Sequence, residues 1–222
     1  MLLTFVTLAA LLILVYGGSE HGTAIDPPVI NPNSTIETFH FMRPLSWSNK
    51  DFDLLTDNNK TKVMTIKTKL KDRLFDYRFA LYLTLLQSQE HLDIKINGRV
   101  IHCGIKQTYK IMKDGKNIYQ LLMDPRGLKT DRWYIKKSGG LTHSYTWKRH
   151  YRGLAGYVKS DDNRKVAYFK AVTWGSESYS AVEHSKIPGS VKYEIKTNGD
   201  VPLEVLVALY TSAVVRMDPC GW

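Results

Sequence analysis

The chain has 222 residues, 43% of them hydrophobic and 23% charged, with a formal net charge of +10. Those are globular proportions, and the length holds one large domain plus a targeting segment. Two cysteines, Cys103 and Cys220, exclude a disulfide-dense scaffold and an all-cysteine zinc site.

Residues 2–16 form an apolar run without a charge, followed by Gly17, Gly18 and Ser19. The run is the length of a signal-peptide core and short for a full bilayer crossing. Residues 1–19 are therefore read as a signal peptide or an uncleaved membrane anchor. No Lys or Arg occurs before Arg43, so flanking charge does not orient the segment. Asp26-Pro27-Pro28, Asn31-Pro32-Asn33 and Pro44 break regular structure, and 20–50 reads as a linker. Two glycosylation sequons start at Asn33 and Asn59. With the apolar leader they favour the secretory pathway, with the chain secreted or anchored by that leader.

The period switches to two from about Thr61. Lys62–Ile66, Phe79–Leu86 and the alternating Leu92, Ile94 and Ile96 read as strands. Asn97-Gly98 reads as a type I′ hairpin turn, with Val100–Ile105 as the returning strand. Tyr109–Met112 and Ile118–Met123 flank Asp114-Gly115, and Asp124–Gly127 makes the next turn. Further strands are expected at Trp133–Ile135, Ser144–Arg149, Leu154–Lys159, Lys165–Ala171 and Lys192–Lys196. Short strands and turns at this density indicate a barrel or a sandwich.

Val201–Val215 then runs apolar on every side, with Glu204 its only charge. Asp200 reads as the N-cap, Pro202 as part of the first turn and Arg216 as the far end, giving a helix over 201–216. Fifteen residues at 1.5 Å each span roughly 22 Å, short of a membrane crossing. A short helix apolar all round belongs inside protein. A sandwich fills its core with its own two faces, whereas a larger closed sheet has room for a helix. The predicted fold is mainly β: a closed antiparallel β-barrel over 51–222, wrapped around a buried C-terminal hydrophobic helix and preceded by an N-terminal apolar leader helix.

The order of parts, with hairpins turning at Asn97-Gly98, Asp114-Gly115 and Asp124–Gly127, a late Tyr193-Glu194-Ile195 strand and then an apolar helix opened by Asp200, resembles the tubby C-terminal-domain-like superfamily. It is most similar to the LURP-one-related branch. The resemblance covers roughly residues 50–218 and implies a twelve-stranded antiparallel barrel around a central helix. The phospholipid scramblases are grouped with the same fold. Tubby proteins bind phosphoinositides through basic side chains on the barrel surface, but no such pocket maps onto named residues here. The apolar leader departs from the family's usual cytosolic pattern.

The motif of a nucleophile elbow, a zincin, a P-loop or an EF-hand is missing from the chain, so neither catalysis, a metal nor a cofactor is expected. Asp161-Asp162-Asn163 lacks calcium-loop spacing and reads as a turn. Cys103 and Cys220 admit a disulfide in an oxidising compartment or two separate buried thiols. Between Arg132 and Lys170 there are ten Lys/Arg against Asp161 and Asp162. The candidate site lies there: Lys136, Lys137, Lys148, Arg149 and Arg152 for an anionic ligand, with Trp133, Trp147 and Tyr151 as rings at a membrane interface. The competing reading turns the rings inward as core. The expected function is a monomeric, non-enzymatic barrel that binds an anionic membrane surface and no nucleic acid. The alternatives are a scramblase-like lipid-active protein and a secreted interaction or effector protein with an unknown protein partner.

Overall fold

A computed structural model describes residues 24–44, 51–57, 61–71, 78–126, 130–149, 154–171 and 190–220. The predicted leader, Asn59, Tyr151, Arg152 and the 172–189 stretch lie outside the described residues.

Among the described residues twelve strands follow one another. They are β1 (Glu37–Pro44), β2 (Phe52–Thr56), β3 (Lys62–Lys71), β4 (Arg78–Leu85), β5 (Glu90–Val100) and β6 (Gln107–Lys113), then β7 (Lys116–Asp124), β8 (Arg132–Ile135), β9 (Tyr145–Lys148), β10 (Gly156–Ser160), β11 (Lys165–Ala171) and β12 (Ser190–Thr197). Each pairs antiparallel with its neighbours in sequence, and β1 pairs with β12 to close the barrel. Closure leaves no open sheet edge. The helix α1 (Leu203–Cys220) follows.

Alternation assigns the two faces. Phe39 and Phe41 of β1, Leu81 and Leu83 of β4, Trp133 and Ile135 of β8 and Tyr193 and Ile195 of β12 all point into a continuous core. The helix fills that core: Val205 through Arg216 are buried without interruption, Leu206 and Leu209 completely. Tyr210 stands at its middle. It stacks on Phe169 at 4.3 Å between ring centres and meets Phe41, Trp147 and Tyr193 edge-on at 5.9, 5.7 and 5.7 Å. Those rings come from β11, β1, β9 and β12, so the helix axis runs through the lumen. Gly156 admits the indole of Trp147. A Cβ there would lie 2.4 Å from the Lys148 carbonyl and 3.1 Å from Trp147 Nε1, and its φ of 145° suits glycine.

The expected Asp114-Gly115 hairpin is present, with φ of 49° and 75° at its two central residues and Lys113 paired with Lys116. Asn97-Gly98 is different. It lies inside β5, whose pairing to β4 shifts from Ala80↔Lys95 to Arg78↔Val100. Gly98 and Arg99, at φ of 80° and 62°, accommodate the extra residues as a bulge. No strand forms at 101–106, which is a loop. The expected linker is corrected as well. β1 lies within it, and Asp26 bonds both ways to Lys165, its amide to the carbonyl at 2.9 Å and its carboxylate to the amide at 2.6 Å.

Two ties fix the helix ends. At the C-terminal end, Cys103 and Cys220 form a disulfide. One turn earlier Arg216 donates to Gln107 Oε1 at 2.6 Å and to the His102 carbonyl at 2.7 Å. Burial pushes the phenol of nearby Tyr109 up to about 12, against the opposing pull of the Arg216 charge. At the N-terminal end, the predicted N-cap role of Asp200 does not hold. The first helical amides bond to the Pro202 carbonyl, and the Asp200 carboxylate turns instead to the segment ahead of β1.

Glu204, in the first helical turn, has its pKa raised, chiefly by burial and further by Glu90, while its backbone hydrogen bond and Lys113 pull the other way. A carboxyl with a raised folded pKa stabilises the fold while protonated. That contribution is lost as pH rises from the ordinary carboxylate range through the raised value. Glu204→Gln is therefore expected to raise the urea midpoint at about pH 7.5 and to leave it unchanged near pH 4. An equal midpoint at the higher pH would contradict the burial penalty.

Candidate functional site: a basic groove on the outer barrel wall

Strands β8, β9 and β10 each carry inward residues that pack the core, so the intervening side chains stand on the outer wall. Register places them in rows. Arg132 lies opposite Lys148, and Tyr134 lies opposite Thr146, which also faces Lys159 on the next strand. Together with Tyr157 these side chains line an open groove of about 560 Å³.

Its lining carries Arg132, Lys148, Arg149 and Lys159 against Asp161, and Asp124 of β7 lies opposite Arg132 on the other side. Arg132 and Lys148 are like charges directly across a strand pair, an arrangement that costs stability. Among the described residues neither forms an ion pair. Among the described residues Lys159 donates to the neutral Asn163 Oδ1, at 3.2 Å. The Tyr157 ring lies 4.7 Å from that of Tyr168 and carries Lys165 Nζ 4.8 Å from its centre, which extends the basic and aromatic surface onto β11. Ammonium and guanidinium donors around a cleft of this size hold an anionic oxygen cluster by charge-assisted hydrogen bonds, with flanking ring edges to pack against its carbon atoms.

The end of the groove nearest the start of α1 is the β10–β11 turn. Asp161 accepts from His143 Nδ1 at 2.6 Å and from the Ser144 amide at 3.2 Å, and Asp162 accepts from the Ser160 hydroxyl. These bonds hold both carboxyls below the usual range, that to His143 leading for Asp161 and that to Ser160 for Asp162. His143, Asp161 and Asp162 bring their ligand atoms within 4.8 Å of one another. Both carboxylates are engaged in locking the expected turn.

The structure sorts the sequence-predicted residues by face. Lys148 stands in the groove. Arg149 borders it, but its guanidinium is paired with Asp131 and only 9% exposed, so its charge is already matched. Lys136 and Lys137 are exposed on the β8–β9 connection and do not line the groove. Trp133 and Trp147 are corrected from interface rings to core. Both are fully buried, because they occupy the inward phase of β8 and β9. Trp133 Nε1 donates to Asp131 at 3.0 Å, so the same carboxylate serves Arg149 and the core. Asn33 is exposed in the turn ahead of β1. Arg132, Tyr157 and Lys159 were not singled out from the sequence, although alternation from Trp133 and Val158 marks each as outward-facing.

No family model, curated protein or solved structure matches the chain.

Proposed function

We propose that the chain is a non-enzymatic barrel domain that binds an anionic ligand, such as a lipid headgroup, in the groove of β8–β10. The observation that carries this reading is the pair Arg132 and Lys148, neither in an ion pair among the described residues, set directly opposite each other with Lys159 one strand away. A fold that tolerates that repulsion offsets it when an anion is bound. The closed barrel around a helix agrees with what the tubby and LURP-one resemblance implies, and surface basic residues are where that resemblance places a lipid contact. The Cys103–Cys220 disulfide supports a domain that matures in an oxidising compartment, secreted or held by its apolar leader.

Lys148→Glu combined with Lys159→Glu tests the reading. Each cation near an anionic surface contributes about 1 kcal/mol, so the double reversal is expected to weaken binding by at least about 30-fold. The measurement is titration with a water-soluble short-chain phosphatidylserine at low and high salt. The wild type is expected to lose affinity as salt rises. Salt-independent binding, or a double variant that matches the wild type, would sink the proposal.

A further inference from the structure

Ahead of β1, Val29 and Ile30 are adjacent aliphatic side chains, 60% and 53% exposed. Exposed aliphatics standing singly are ordinary, but these two are adjacent and their backbone is fixed by a built support. Their backbone amides donate to one oxygen of Asp200, at 2.9 and 3.0 Å. The other oxygen accepts from Arg164 at 3.1 Å, and Arg164 also donates to the Pro27 carbonyl. The support is thus anchored at buried Asp200, just ahead of the central helix, and it fixes the backbone of the pair where both residues border a small pocket with Thr142, His143, Tyr145 and Val166. Ile36, 42% exposed, stands beside the start of β1 at the same end.

This aliphatic pair adjoins the basic groove. Ser160 borders both surfaces, and His143 beside Ile30 is hydrogen-bonded to Asp161 at the groove's end. We propose that Val29 and Ile30 form a membrane wedge, and that the barrel docks on an anionic bilayer with the wedge in the acyl boundary and the groove over the headgroups. This rests on the proposed anion-binding reading and adds the partner's class, a lipid surface rather than a free anion. Charge complementarity selects the bilayer. An apolar pair at one end of a groove lined by Arg132, Lys148 and Lys159, with Asp161 between them tied to His143, matches a surface that is anionic at its face and apolar beneath, as interfacial anchors do. A pinned backbone lowers the ordering cost of insertion.

The test compares the full-length chain with Val29→Ser/Ile30→Ser and with Lys148→Glu/Lys159→Glu. All three carry Asn33→Gln, so that no glycan at the neighbouring turn enters the comparison. Two probes are used: vesicles of phosphatidylcholine with or without phosphatidylserine, and the soluble short-chain phosphatidylserine. The wedge variant is expected to lose at least about tenfold in affinity for anionic vesicles and to keep wild-type affinity for the soluble lipid. The groove variant is expected to lose both. Equal vesicle binding by the wedge variant and the wild type overturns the wedge, as does wild-type binding that ignores phosphatidylserine and follows the N-terminal apolar run alone. So does a self-association in sedimentation that the wedge variant abolishes while its vesicle binding is unchanged. Binding of the soluble lipid without binding of anionic vesicles overturns the wedge and leaves the groove reading standing. A wild type that binds neither probe overturns both.

Discussion

The double variant Cys103→Ser/Cys220→Ser is expected to be less stable than the oxidised chain by about 3–5 kcal/mol. The bridge joins residues 117 apart, and in the chain-entropy account a loop of that length is among the most effective at restricting the unfolded ensemble. For a domain of this size the loss corresponds to a fall in Tm of roughly 10 °C. The location adds a structural reason. Cys220 ends the helix that fills the barrel, and Cys103 sits in the loop over that end. Arg216 bonds the same loop through the His102 carbonyl and Gln107, and Gln107 in turn donates to the Val100 carbonyl at 2.7 Å. Urea unfolding of oxidised wild type and double variant checks the expectation. The m-value should rise in the variant, since an uncrosslinked chain exposes more surface when unfolded. Combining the double variant with Arg216→Met should show coupling, because both ties hold one loop to one helix end. A loss below about 1 kcal/mol with an unchanged m-value would mean that the crosslink does not constrain the chain as argued.

The same helix shows what could be read from the residues and what could not. Its burial was legible, because a fifteen-residue run from Val201 to Val215 with one charge has no other comfortable place. Asp114-Gly115 was legible too, since two consecutive positive φ values in a strand context have few uses. Asn97-Gly98 carries the same local chemistry, but a bulge and a hairpin both draw on it, and only the pairing of Arg78 with Val100 decides between them. β1 was hidden by Pro32 and Pro44 on either side of a short stretch, Thr38 to Met42, that gains its order from β12 and β2. The site was half legible. Reading Trp133 to Arg152 as one cluster mixed the two faces of β8 and β9. Applying the period of two would have kept Lys148, added Arg132 and released Trp133 and Trp147 to the core. Lys159 and Tyr157 join through β10 pairing, which is a property of the sheet and not of any one stretch.

Asp200 gives the other large effect, and it turns on the same difference between local and long-range signals. An aspartate just ahead of an apolar helix reads as an N-cap. Here the helix begins after Pro202, and the carboxylate serves contacts as much as 171 residues away. It is 3% exposed and accepts four hydrogen bonds, from Val29, Ile30, Arg164 and Asn198. Asp200→Ala leaves two backbone amides without their acceptor and takes one of two acceptors each from the Asn198 amide and the Arg164 guanidinium. The expected loss is about 3–5 kcal/mol, the scale for breaking a buried charge pair from one side. Asp200→Asn retains an acceptor for the two amides while removing the charge that faces Arg164, and is expected to cost about half as much. Denaturant midpoints of the two variants give the ranking. Hydrogen exchange at the Val29 and Ile30 amides gives the locality, with protection lost in Asp200→Ala and partly kept in Asp200→Asn. Because the carboxylate also positions the proposed wedge, Asp200→Asn should weaken anionic-vesicle binding more than soluble-lipid binding. Equal midpoints for Asp200→Ala and wild type would show that the N-terminal segment is not tied through this residue, and the support argued for Val29 and Ile30 would go with it.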